Sequence, residues 1–155
     1  CCPIRISLCF ILFKTFKSLS MLYAIMTINP QLSYLLYLNL AECTYIDDKI
    51  CTLISRNCLN LSSFILTWCS DISDDGISEI VLGCKSLSFL DLTGLKEITD
   101  KSFPLVSLQI YNNLHTLILE KCNKISDEHL WKLSELYPSI KIKNYINFFP
   151  NIITI

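Results

Sequence analysis

"LSSFILTWCSDISDDGISEIVLGCKS", residues 61–86, crowds Asp71, Asp74, Asp75 and Gly76 beside Trp68 and Cys69. Clustered carboxylates next to a glycine are what a hard cation wants. An EF-type calcium loop would also need a Glu at its twelfth position, and counting from Asp71 that position is Leu82. The competing reading is that the stretch is one copy of something repeated, and laying the chain against itself favours that reading. "LLYLNLAECTYIDDKICTLISRNCLN" starts at Leu35, "LSFLDLTGLKEITDKSFPLVSLQIYNN" at Leu87 and "LHTLILEKCNKISDEHLWKLSELYPS" at Leu114, with a degenerate start at Ile140. The steps from 35 to 61, 87, 114 and 140 are 26, 26, 27 and 26 residues.

All four copies follow L-x-x-L-x-L-x-x-C-x-x-I-[ST]-D, with single departures, and then a helical stripe. The fourth column holds Leu38, Phe64, Leu90 and Leu117, and the sixth Leu40, Leu66, Leu92 and Leu119. The ninth holds Cys43, Cys69, Leu95 and Cys122; the twelfth Ile46, Ile72, Ile98 and Ile125; the fourteenth Asp48, Asp74, Asp100 and Asp127. Alternating apolar residues at four and six predict a short strand with one buried face. The ninth residue sits where the chain leaves the strand, so it must be small or apolar. The Asp of the fourteenth column is expected to start a helix, accepting from free backbone N–H groups and facing the dipole favourably. One apolar helical face follows: Ile50, Leu53, Ile54 and Cys58 in the first unit, Ile77, Ile80, Val81 and Cys84 in the second, Leu130, Leu133, Leu136 and Tyr137 in the fourth. In the third unit Pro104 follows Phe103, and a proline so close to the first turn predicts a short or displaced helix. One strand and one helix cannot bury an apolar face alone, so the units must stack.

The predicted fold is therefore α/β: a right-handed repeat solenoid with parallel strands on a concave face and helices on a convex face. Its four units run 35–60, 61–86, 87–113 and 114–139. Residues 1–34 are expected to form an N-terminal cap or degenerate repeat, with Leu8, Ile11, Phe13, Phe16 and Leu19 weakly matching the apolar columns. Residues 140–155 are expected to form a degenerate repeat or cap, the apolar 144–155 tail covering the last unit. A chain that begins with Cys rather than Met reads as a fragment or a processed chain.

Composition narrows the function. A net charge of -1 with no basic run provides no field for nucleic acid or anionic membrane, although the chain is 52% hydrophobic with a mean hydropathy of +0.45. "IRISLCFILF" (4–13) and "LSMLYAIMTI" (19–28) each fall short of the roughly 18 apolar residues of a membrane span. The nine cysteines are odd in number and contain no C-x-x-C pair, so they read as reduced core residues of a cytoplasmic or nuclear protein, with no zinc site. No nucleophile elbow, P-loop, dinucleotide fingerprint or H-E-x-x-H occurs, and His115 and His129 read as surface or partly packed residues. The expectation is no enzyme, no cofactor and no metal.

The template "LxxLxLxxCxxI[ST]D" at this period resembles the cysteine-containing class of leucine-rich repeats, familiar from F-box/leucine-rich-repeat proteins. "NPQL" (29–32) is similar to the "CPxL" that leads into a new repeat in that family. The resemblance implies a protein-binding scaffold, the substrate-recognition region of an SCF-type ubiquitin ligase receptor, docked to the ligase core only if an F-box lies upstream. Residues 1–34 have neither the Leu-Pro opening of an F-box nor its Trp near the end. The alternative is an assembly or accessory factor without an F-box, similar to the small mitotic-exit antagonist or to mitochondrial ATP synthase coupling factor B. "CTYIDD" (43–48) resembles a run in the latter, and localisation would then be mitochondrial.

On such a scaffold the partner would sit on the concave face, at strand positions that do not point inward. The candidate residues are Tyr37, Asn39, Ile65, Trp68, Phe89, Asp91, Ile118 and Glu120. The aromatic and aliphatic members would form an apolar patch with Asp91 as its acidic anchor. Trp68 holds no template column. It either leans outward as a binding hot spot or folds over its own loop or a neighbouring segment.

Overall fold

A computed structural model describes residues 6–8, 24, 27, 29–105, 111–144 and 152–153. The protein is α/β, with one seven-stranded parallel sheet and, among those residues, three α-helices with described bounds besides the helical positions Ala24 and Thr27. The strands are β1 (Ile6–Leu8), β2 (Leu35–Asn39), β3 (Ser63–Ile65), β4 (Phe89–Asp91), β5 (Thr116–Ile118), β6 (Lys141–Lys143) and β7 (Ile152–Ile153), and they lie in sequence order. The helices are α1 (Asp48–Asn57), α2 (Asp74–Gly83) and α3 (Asp127–Leu136). A 3-10 helix at Pro30–Tyr34 leads into β2, with Pro in its first turn and Asn29 accepting from the Gln31 N–H.

The strand register reproduces the repeat columns. Tyr37, Ser63, Phe89, Thr116 and Lys141 pair across the sheet, as do Asn39, Ile65, Asp91, Ile118 and Lys143. The strands from β3 to β6 are three residues long, yet the ladder continues past both ends. Ser62 donates to the Leu36 carbonyl at one end, and Leu40, Leu66, Leu92 and Leu119 donate to Ile65, Asp91, Ile118 and Lys143 at the other. Backbone groups in a chain this apolar thus find partners in the next unit, which is what burial demands of them.

The fourth-, sixth-, ninth- and twelfth-column residues and most of the helical stripes form one core: Leu38, Phe64, Leu90, Leu117, Ile77, Ile80 and Leu130 are all fully buried in it. Leu53 packs only partly against it, and Leu136, expected on the stripe of the fourth unit, is 54% exposed because it falls off the face that Leu130 and Leu133 bury. The helices therefore lie on the side of the sheet that the fourth column faces. α1 and α2 approach closely because Gly83 carries no side chain. A Cβ there would come within 2.6 Å of Ser55 Cβ.

Two expectations about helix starts are corrected. The capping residue is the thirteenth column, not the fourteenth: Asp47, Ser73 and Ser126 are extended, and their side chains accept from the N–H groups of Ile50, Asp75 and His129. The Asp of the fourteenth column stands one residue inside, and its carboxylate reaches the next unit. Asp48 accepts from Ser73 N (2.8 Å) and Oγ (2.6 Å), and Asp100 from Ser126 N (2.8 Å) and Oγ (2.7 Å). Asp74 accepts from Thr99 N and Oγ1 and from Ser102 Oγ, each at 2.6 Å. Each carboxylate thereby holds the cap of the following unit.

In the third unit the described residues contain a 3-10 turn, Asp100–Ser102, with Thr99 as its cap and the fully buried Phe103 after it. Pro104 has no N–H to continue the ladder, so the turn ends there. The imidazole of His129 on α3 meets the Phe103 carbonyl (2.8 Å), a partner that a longer helix would have supplied from its own backbone. Of the columns proposed within residues 1–34, Ile11, Phe13, Phe16 and Leu19 lie outside the described residues. Residues 6–8 do pair with β2 as a sheet strand. At the other end β7 pairs with β6, and the remainder of the 144–155 tail beyond Asn144 lies outside the described residues.

Candidate functional site

From β2 to β5 the third and fifth columns are half-buried, while the fourth is fully buried. This alternation puts Tyr37, Asn39, Ile65, Phe89, Asp91 and Ile118 on the face away from the helices. Because Tyr37, Ile65, Phe89 and Ile118 alternate between the two columns on successive strands, they trace a zigzag across the sheet, within reach of diagonal neighbours. Glu120 stands past the end of β5 and is also half-buried, its carbonyl accepting from Gly94 N.

Two of the polar candidates have local work. Asn39 Oδ1 accepts from Ala41 N (3.0 Å), and Asp91 Oδ1 accepts from Thr93 N (2.9 Å) and Thr93 Oγ1 (2.7 Å). Both side chains fix the turn that leaves the strand, an Asx turn repeated at the same column two units apart. Asp91 is thus a turn-former before it is an anchor.

Trp68 lies one turn further on. The eighth column is left-handed in every described unit: Glu42 has φ 62°, Trp68 61°, Gly94 78° and Lys121 60°. The conformation belongs to the repeat, because the N–H groups of Glu42, Trp68 and Gly94 must point at the carbonyls of Thr67, Thr93 and Glu120. A bulky side chain pays about 1–2 kcal/mol in such a conformation. The indole of Trp68 lies over Gly94, where a Cβ would sit 2.5 Å from Trp68 Cε3, and the Lys121 ammonium stands 5.1 Å from the ring centroid. Trp68 therefore packs along its own column onto the next two units, yet remains 39% exposed. The sequence signal for this column was Gly94, the residue type most at ease with φ above zero.

The cysteines have a structural role. Cys69 donates its S–H to the Leu40 carbonyl (3.1 Å) and Cys122 to the Leu92 carbonyl (3.2 Å), each reaching the preceding unit. Burial pushes the thiols of Cys58, Cys69 and Cys84 up to about 12 and that of Cys122 to about 11, so each stays protonated and is no nucleophile at neutral pH. Among the described residues no group of three or more His, Cys, Asp or Glu is placed to hold a metal ion, and no helix is long and apolar enough to cross a membrane. His115 Nδ1 meets the Asn113 carbonyl (2.6 Å), a local contact, and His129 meets the Phe103 carbonyl of the preceding unit. On the helical side a groove of about 340 Å3 lies between α1 and α2, lined by Asp48, Lys49, Thr52, Asp75, Ser78 and Glu79.

No protein-family model matches the chain. The chain is similar in fold to the solved structure "Leiomodin-1 Actin-Binding Site 2 (ABS2)", with a TM-score of 0.56 at 15% identity, over 83% of this chain and 79% of that one. At such an identity the likeness concerns the arrangement of the backbone.

Sequence reasoning placed the open face and its columns correctly in register. It missed the work of the polar members: the turn bonds of Asn39 and Asp91, and the serine contact of the second column, where Ser62 Oγ meets Ser88 Oγ at 3.1 Å. It also missed Asn60 and Asn113, whose amides donate to the Ser33 and Lys85 carbonyls of the preceding unit. All of these are visible in sequence only as polar residues recurring in one column.

Proposed function

We propose that the protein is a cysteine-containing leucine-rich-repeat solenoid that acts by binding another protein on its strand face. The observation that carries this reading is the register of the third and fifth columns, which sets half-buried Tyr37, Ile65, Phe89 and Ile118 on a face that no described helix covers. Monomeric proteins rarely leave a contiguous apolar patch in water without a use for it. The thiols of Cys69 and Cys122, the inter-unit carboxylates and the left-handed turns are taken up in stacking one unit on the next. Chemistry on the protein's own account has no comparable support, since the thiols among the described residues are buried and both histidines meet backbone carbonyls.

The context we favour is substrate recognition in an SCF-type ubiquitin ligase, on the strength of the repeat template. The alternative is an assembly or accessory factor that uses the same face. That the similar solved structure is by its name an actin-binding site adds support for protein binding as a use of this backbone, without pointing to actin here. Phe89→Ser together with Ile65→Ser is the test of the face: in a chain that keeps its circular dichroism, partner capture is expected to be lost. Capture that survives both substitutions removes the face from consideration. The ubiquitin context is tested separately, by co-purification of the native gene product with the cullin-containing ligase core. A stable product that binds its partner but never the ligase core leaves only the accessory-factor reading.

A further inference from the structure

Resting on the reading that the strand face binds protein, we propose that its occupant is a peptide segment combining apolar side chains with carboxylates, lying with its acidic end over β6. The charge on this face is lopsided. Along the third and fifth columns of β2 to β6 the charged residues are Asp91, Lys141 and Lys143. Asp91 Oδ1 is held by Thr93, whereas neither lysine's ammonium has a hydrogen bond or ion pair among the described residues, both lysines bonding only through the backbone ladder. The two lysines flank buried Ile142, so they share the open face at a spacing of roughly 7 Å. Their cross-strand neighbours on β5 are Thr116 and Ile118, and neither brings a carboxylate. Glu120, two positions beyond Ile118, makes no ion pair with them.

Two like charges side by side on a sheet face cost stability, and a carboxylate arriving from outside relieves that cost. The apolar zigzag runs straight into them: Ile65 on β3, Phe89 on β4 and Ile118 on β5 lead to Lys143 on β6. With strands about 4.8 Å apart, the path from Ile65 to Lys143 spans roughly 14 Å, the length of about four extended residues. A segment laid across the strands can therefore seat its apolar side chains on the zigzag and its acidic ones on Lys141 and Lys143. A basic segment would meet uncompensated like charge at the β6 end.

A randomised peptide display library, selected against the immobilised full chain, reads the preference without knowledge of the natural partner. Binders enriched in Asp or Glu together with Leu, Phe or Trp are expected. Synthesised, these are expected to bind about tenfold or more weakly to Lys141→Glu/Lys143→Glu and to weaken as salt rises. They should also bind weakly to Phe89→Ser, with folding of both variants verified by circular dichroism. Binders enriched in Lys or Arg, or acidic binders indifferent to the lysine reversal, overturn the acidic occupant while leaving the face standing if Phe89→Ser still weakens them. Binders indifferent to both sets of variants, or no binders at all, overturn the face reading and this proposal with it.

Discussion

Trp68 and Gly94 illustrate how single residues adapt to the repeat. Both are held left-handed by the ladder of the eighth column, and the absence of a side chain on Gly94 is what lets the indole lie flat over it. Gly94→Ala adds a methyl into the ring and strains φ, with an expected cost of about 2–3 kcal/mol by urea unfolding. Trp68→Gly removes the obstacle and relaxes its own turn, so Gly94→Ala in that background is expected to cost about 1 kcal/mol less. Equal costs in the two backgrounds would mean that the indole does not rest on Gly94. The buried thiols make a second residue-scale case. Cys58, Cys69, Cys84 and Cys122 have their thiols raised by burial, and two of them donate to carbonyls of the preceding unit. They are expected to resist alkylation at pH 8 in the folded protein and to react together once urea unfolds it, as mass mapping of each cysteine would report. Rapid native labelling of Cys69 would contradict its buried donor role. At this scale the sequence disclosed that the ninth column is core, but not why cysteine serves there. A thiol can fill an apolar site and still supply a hydrogen, and only the position of the neighbouring unit's carbonyl makes that useful.

At the scale of elements, the carboxylates of the fourteenth column matter most. Read along one chain, Asp74 looks like a helix cap. In three dimensions the cap is Ser73, and Asp74 holds Thr99 and Ser102 of the following unit. A linear sequence shows which residues recur, but not whether a side chain closes onto its own turn or onto the next, because both fit the same spacing. For the Asp74 carboxyl, partial burial opposes ionisation, but the hydrogen bonds from Ser102 and Thr99 outweigh it and hold the group below the usual carboxylate range. Its folded pKa is thus depressed. The stability it contributes is fully present above the pKa of an unfolded Asp, near 3.9, and is lost as pH falls through the lower folded value. Asp74→Ala is expected to cost about 2 kcal/mol at neutral pH, and the gap between wild type and variant should narrow as pH falls below the range of an unfolded Asp and through the depressed folded value. Asp127, exposed and with no hydrogen bond among the described residues, is the comparison: its replacement should change stability by less than about 1 kcal/mol. A cost for Asp127→Ala equal to that of Asp74→Ala would show that the helix dipole, not the inter-unit bond, is the source.

At the scale of the whole molecule, the stack is only as cooperative as its thinnest junction. Strand order follows sequence order, so each unit meets chiefly the units before and after it. Pairs such as α1 and α2 pack helix on helix, with Ser55 against Gly83. The third unit offers the turn Asp100–Ser102 instead, and leans on Asp74 from one side and His129 from the other. The broken repeat was legible from Pro104, because a proline cannot extend the turn. That a histidine of the next unit takes over the Phe103 carbonyl was not, since its sequence position matches Gly76 in the second unit and carries no partner of its own. The consequence is a weak seam buried under one large side chain. Phe103 is fully buried, and Phe103→Ala removes a whole ring from the core at a cost of about 3–5 kcal/mol. Since that loss falls at the junction, the variant is expected to unfold in two steps. Hydrogen exchange in rising urea should release residues 87–105 and 111–144 first, while α1, α2, β2 and β3 keep their protection. A core substitution of similar size in the second unit, Phe64→Ala, should instead lower the stability of both halves, because it weakens the packing that the helix pair shares. If Phe103→Ala unfolds in one step with every amide released together, the short turn Asp100–Ser102 does not divide the stack, and the inter-unit carboxylates and the continuous sheet ladder suffice to couple it from end to end.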